Sequence, residues 1–148
     1  MIRWPDIAMR PWTVIALAAL GVPRIVAHDL GLAGPVTNAV LVFVPLAGWI
    51  GWVLWRRIAP LPALLLVGAV YGVLLVITHQ LLWTTAFDEP PELGGNLAGR
   101  FSPAVQDLIL RLASVGSGLL TGVLLGAVAG VVAWVLARLS GVPDRTEP

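Results

Sequence analysis

The sequence predicts an all-α integral membrane protein: a four-helix bundle with both termini cytoplasmic, and with an extracytoplasmic loop and short amphipathic helix between the third and fourth spans. Three observations lead there. Of 148 residues, 58% are hydrophobic and only 11% charged, and a mean hydropathy of +0.91 is too apolar for a soluble core of this size to bury. Four stretches, at approximately 12–32, 36–56, 61–83 and 112–139, approach or exceed the roughly 20 apolar residues that a helix needs to cross hydrocarbon. All nine basic residues are arginine, and Arg3, Arg10, Arg56, Arg57, Arg138 and Arg145 fall on one side of the resulting topology. By the positive-inside rule that side is the cytoplasm. The whole chain is expected to form a single membrane domain.

In the first span, Pro23 and Arg24 interrupt the outer end. A cleaved signal peptide is the competing reading, with Arg3 and Arg10 as its basic region and Ala27 as the last residue removed, but the residues before Ala27 are bulky where small ones are needed. In the second span, Pro35 suits the first turn, where a missing N–H costs nothing, whereas Pro45 falls mid-span and predicts a kink. The third span carries Gly68 and Gly72 on one face. Residues 84–111 then form the outer loop. Asp88-Glu89-Pro90-Pro91-Glu92 is acidic and stiff, Gly94-Gly95 gives a turn, and Ser102-Pro103 reads as an N-cap followed by proline at the first helical position. Val105, Leu108, Ile109 and Leu112 recur at helical spacing, with Asp107 four residues before Arg111 in the favourable ion-pair order. This helix either lies on the outer surface or runs straight into the fourth span. Continuous from Pro103 to Leu139, it would be about 55 Å long, with a bend expected at Gly116-Ser117-Gly118.

The fourth span carries Gly118, Gly122, Gly126 and Gly130, an i,i+4 series that Ser114 extends. A face without side chains lets another helix backbone approach closely. It serves either internal packing on a neighbour in the same chain or a homo-oligomer interface.

The polar residues single out one level of the bilayer. At 1.5 Å per residue, His28 lies about 24 Å up the first helix from Trp12, His79 about 27 Å up the third from Leu61, and Asn38 about 25 Å from Trp55 on the second. Gly21, Arg24 and His28 share a stripe, as do Gly68, Gly72, Val76, His79 and Trp83. The small-residue face of the third helix thus leads up to His79 and aims it inward. First and third helices are diagonal partners in an up-and-down bundle, so their histidines can approach. Ionisable groups at this depth are costly, which makes the cluster the main functional clue. An Arg four residues before His28 favours the neutral imidazole. The plain alternative is that Arg24 snorkels, His28 and Asp29 end a helix in water, Asn38 helps cap its helix, and His79 and Gln80 are interfacial.

Composition excludes several classes. Zero cysteines remove disulfides, thiolate metal sites and iron–sulfur clusters. A net charge of +1 without a cationic run gives no field for nucleic acid. No nucleophile elbow, phosphate loop or metalloprotease helix is present, so an enzyme is not the favoured expectation. The expected function is a small-solute or ion binding or transport protein, with Arg24, His28, Asn38, His79, Gln80 and Trp83 lining an outward-facing pocket. Two alternatives stand beside it. His28 and His79 have the spacing for axial ligands of haem b, or with Asp29 for a divalent-metal site that Asp88, Glu89 or Glu92 would complete. The chain is otherwise an accessory subunit that oligomerises or binds a membrane partner through its glycine stripe. The lipid bilayer is the expected environment, and an arginine-only, Ala/Gly/Val/Leu-rich composition points to a bacterial plasma membrane.

Overall fold

The computed structural model describes residues 9–86 and 91–140. Arg3, Arg145, Asp88 and Glu89 lie outside the described residues. Within them, all regular structure is helical, and four segments are long and apolar enough to cross a membrane: Pro11–Asp29, Pro35–Arg56, Pro60–Leu81 and Pro103–Leu139.

The first of these is two helices, α1 (Pro11–Ala19) and α2 (Val22–Asp29). Pro23 causes the break. It has no N–H to give the Ala19 carbonyl, and its ring crowds that carbonyl. The chain answers with tightened turns, Leu20 N–H to the Leu17 carbonyl and Gly21 N–H to the Ala18 carbonyl, both at 3.1 Å. The Trp49 indole N–H also donates to the Leu17 carbonyl, at 2.6 Å. A Cβ at Gly21 would strike the Tyr71 ring, and Tyr71 meets Trp49 edge-on with ring centroids 5.7 Å apart. An aromatic brace therefore fills the space beside the break.

The α2 helix stops at Asp29, three residues before the limit expected from the sequence. Gly31, with φ of +66°, donates to the His28 carbonyl at 3.1 Å, and Leu32 donates to the Ala27 carbonyl at 2.8 Å. This is a Schellman cap, and it needs a residue tolerant of left-handed backbone at position 31. α3 (Pro35–Arg56) passes through Pro45 without a break and ends where Arg57 turns left-handed at φ 51°. α4 (Pro60–Leu81) is followed by a single turn, α5 (Trp83–Ala86), and a 3-10 turn at Gly95–Leu97. The α6 helix runs unbroken from Pro103 to Leu139. The sequence left open whether this helix enters the fourth span directly, and it does; helical hydrogen bonding continues through Gly116-Ser117-Gly118.

The α4 helix touches α1, α2, α3 and α6. Its apolar window is 39% buried against 17% for α3, which makes α4 the centre and leaves α3 mostly facing outward. α4 and α6 run antiparallel and mesh through their glycines. A Cβ on Gly68 would fall on the Gly122 carbonyl oxygen and 2.6 Å from Gly126 Cα, and one on Gly122 would fall on Gly68 and Gly72 backbone. Gly118 and Gly130 close the two ends of the seam against Leu75 and Val76, and against Leu61. The glycine face of α6 is thus covered within the chain by α4. Val14, Leu17, Ala18, Ile25, Trp49, Val53, Leu64, Val67 and Tyr71 form the rest of the core, while Phe43, Val44, Ile77, Leu81, Leu120, Leu124 and Val128 face outward, as a lipid-contacting surface requires.

Candidate functional site

Asp29 is the organising group. Only 6% of it is exposed, because the capped end of α2 places it against α4. The Nδ1 of His79 lies 2.7 Å from Asp29 Oδ2 and that of His28 lies 3.3 Å from Oδ1. With Asp29 as a carboxylate, which only accepts hydrogen bonds, these contacts call for the tautomer with the proton on Nδ1 of each ring. The two contacts differ in weight. His28 is 65% exposed at its side chain and His79 only 32%, so the shorter, more enclosed His79 bond holds the carboxylate. With Nδ1 committed to Asp29, Nε2 is the ring atom of His79 left to take or give a proton.

On one side of this pair is a cavity of about 260 Å³, walled by Arg24, Ile25 and His28 of α2, Leu75 and His79 of α4, and Ser114, Ser117, Gly118 and Thr121 of α6. On the other is a space of about 240 Å³ touching His28, Asp29, His79, Trp83, Ala86 and Ser114. Asp29 lines the second and not the first. His28, His79 and Ser114 line both, so the two imidazoles bonded to the carboxylate also border the arginine-bearing cavity. A third, smaller space of about 180 Å³ also touches Arg24 and Thr121 and is lined further by Gly21, Pro45, Trp49 and Tyr71, beside the helix break.

Arg24 is positioned from α3: its Nε donates to Asn38 Oδ1 at 3.2 Å. The Tyr71 phenol lies beside the same guanidinium. Arg24 and Asn38 are therefore neighbours, as the depth count implies. His28 and His79 are brought together through Asp29. Gln80 and Trp83 belong to a different network, a clasp between α4–α5 and α6. Gln80 Nε2 donates to Ser114 Oγ at 2.9 Å, and Arg111 Nη1 donates to Gln80 Oε1 at 3.1 Å. Arg111 Nε donates to Asp107 Oδ2 at 2.8 Å, the Trp83 indole N–H donates to Asp107 Oδ1 at 2.9 Å, and the guanidinium lies over the Trp83 ring at 4.8 Å. Leu93 N–H also bonds Gln106 Oε1 at 3.1 Å, which ties the connection to α6.

Ser117, Thr121 and Tyr71 were not singled out by the sequence. Ser114, Ser117 and Thr121 recur at i, i+3 and i+7, so one polar face of α6 flanking its glycines was the available signal.

No protein-family model, curated protein or solved structure matches this chain. What the site can hold follows from its own chemistry. Among the described residues, no group of three or more His, Cys, Asp or Glu side chains is arranged to hold a metal ion. Both imidazoles turn Nδ1 to one shared carboxylate, which leaves Nε2 as the ring atom each can offer to a ligand. The wall of the Arg24 cavity combines a guanidinium, three hydroxyl groups and two imidazoles with the apolar side chains of Ile25 and Leu75.

Proposed function

We propose that the protein binds a small polar solute or ion within the outer leaflet of a bacterial plasma membrane, and that the Arg24–His79 cavity is its binding site. The observation that carries this reading is a cavity of about 260 Å³ with a polar wall, enclosed between α4, α6 and α2, the outer arm of the broken first span. Irregular backbone at membrane depth is tolerated where it is buried in protein or lines a polar cavity, and solute sites are commonly built beside broken helices. Arg10, Arg56, Arg57 and Arg138 lie toward the opposite helix ends, which supports cytoplasmic termini and a site near the extracytoplasmic face. Such an address suits a solute taken from outside.

Thermal unfolding of the detergent-purified protein, with small anions, cations and neutral polar solutes added in turn, tests the proposal. Saturable stabilisation by at least one class, lost in Arg24→Gln, is expected. No stabilisation by any class, or an equal shift in Arg24→Gln, would sink it.

A second reading, an accessory subunit, is favoured by one observation. Val105, Leu108 and Leu112 are 41%, 56% and 62% exposed along the end of α6 remote from the glycine seam. Because the seam is already occupied by α4, a partner would use this other face. Stoichiometric co-purification of a second membrane protein, abolished by Leu108→Glu, would favour that role.

A further inference from the structure

We propose that the Arg24 cavity takes a short-chain monocarboxylate together with one proton, which is received by Nε2 of His79. The inference rests on the reading of this cavity as a binding site and adds the chemistry of what enters it.

The wall selects the head group. Arg24 uses Nε on Asn38 and has the Tyr71 phenol as a second partner, which fixes the plane of the guanidinium; the N–H groups these two do not occupy remain for a planar, two-oxygen anion. Ser117 and Thr121 add hydroxyl donors from α6. Among the described residues, the carboxylate nearest the cavity is Asp29, which bonds His28 and His79 of its wall but does not itself form part of that wall. Ile25 and Leu75 supply an apolar side for a short alkyl chain. A volume of about 260 Å³ lies just below the range typical of drug-sized ligands and suits an acid of only a few carbons.

Charge balance brings in the proton. With both imidazoles neutral, the empty site holds one cation, Arg24, and one anion, Asp29. A bound carboxylate would leave a net negative charge in a poorly solvated place, which is strongly unfavourable. Protonation of His79 at Nε2 restores neutrality and turns a lone pair into a donor facing the ligand, while Nδ1–H remains on Asp29. One proton leaves the buffer for each carboxylate bound, and no bond to carbon is made or broken.

Among the described residues, the charged or titratable groups around His79 are few. α2 contributes Arg24, His28 and Asp29, and α4 itself contributes Tyr71. α6 contributes Asp107 and Arg111, which are paired with each other at 2.8 Å and engaged with Trp83 and Gln80. α1 and α5 carry none, and α3 carries none before Arg56 at its far end. His28, whose ring is largely exposed, and the buried carboxylate of Asp29 are the other groups able to take the proton.

Isothermal titration of the full chain in detergent with sodium propionate, in two cationic buffers of different ionisation enthalpy at about pH 8, counts the protons. About one proton taken up per propionate, with affinity falling about tenfold per pH unit once His79 is neutral in the free protein, is the expected result. His79→Gln should abolish the uptake and flatten the pH dependence. Propionate binding with no proton uptake overturns the proposal and leaves the site intact as a binding site. Uptake that persists in His79→Gln also overturns it, because another group is then the acceptor. Absence of propionate binding overturns the proposal as well, and the wider binding-site reading falls only if every other solute in the thermal panel is silent too. The wild-type proton count decides whether a proton accompanies the carboxylate without any variant having to fold, and His79→Gln identifies its acceptor.

Discussion

At the scale of single residues, Asp29 carries more than its neighbours. It is buried and accepts from two imidazoles, so Asp29→Asn replaces an acceptor-only group with one that must turn an N–H toward a donor. Loss of the charge-assisted bonds should lower unfolding free energy by about 1–3 kcal/mol, read as a fall in thermal midpoint in detergent. His28→Ala removes only the longer, exposed contact and should cost less than about 1 kcal/mol. Equal losses from the two variants would contradict the weighting of the pair. The sequence places Arg24, His28, Asn38 and His79 at one depth because helical rise is regular. It does not reveal that Asp29 turns inward, because an acidic residue beside Leu30-Gly31 at a helix end reads equally well as facing water. The direction is settled by the cap at Gly31 together with the packing of α2 on α4, and the second of these is a tertiary fact. Gln80 and Trp83 show the same limit from the other side. Their position near His79 is legible, but their engagement with Asp107, Arg111 and Ser114 depends on how α6 is rotated.

Between elements, the α4–α6 seam is the contact most sensitive to volume. Gly122→Ala places a methyl group on Gly68 and Gly72 backbone, which cannot retreat as a flexible side chain does. The expected cost is about 3 kcal/mol or more, at or beyond the upper end of ordinary overpacking. Gly116→Ala, where nothing lies within 4 Å of the added Cβ, should be neutral or stabilising by up to about 1 kcal/mol, since alanine is the better helix former. Thermal midpoints of the two variants check the contrast, and a Gly122→Ala protein as stable as wild type would rule out the tight seam. Glycine spacing alone identified both faces. That they face each other required the antiparallel register in which Gly68 meets Gly122 and Gly126, which neither helix encodes alone. The break in the first span was readable from Pro23, whereas the aromatic brace beside it joins residues 17, 21, 49 and 71 and has no local signal.

For the whole molecule, apolar length and arginine placement yield both the four spans and their proposed sidedness. The absence of native cysteine allows a direct check. A cysteine replacing Arg100 should react with a membrane-impermeant maleimide in intact cells, and one replacing Arg57 should react only after lysis. Reversed labelling would invert the orientation and place the cavity toward the cytoplasm. The break at Leu20-Gly21 also has a mechanical meaning. α2 is an arm of eight residues, about 12 Å long, set off beside Gly21 and fastened at its far end by Asp29 to His79. A tether at the tip of an arm resists rotation with the longest leverage available to it. Arg24 sits between the break and that tether, with its own hold on Asn38.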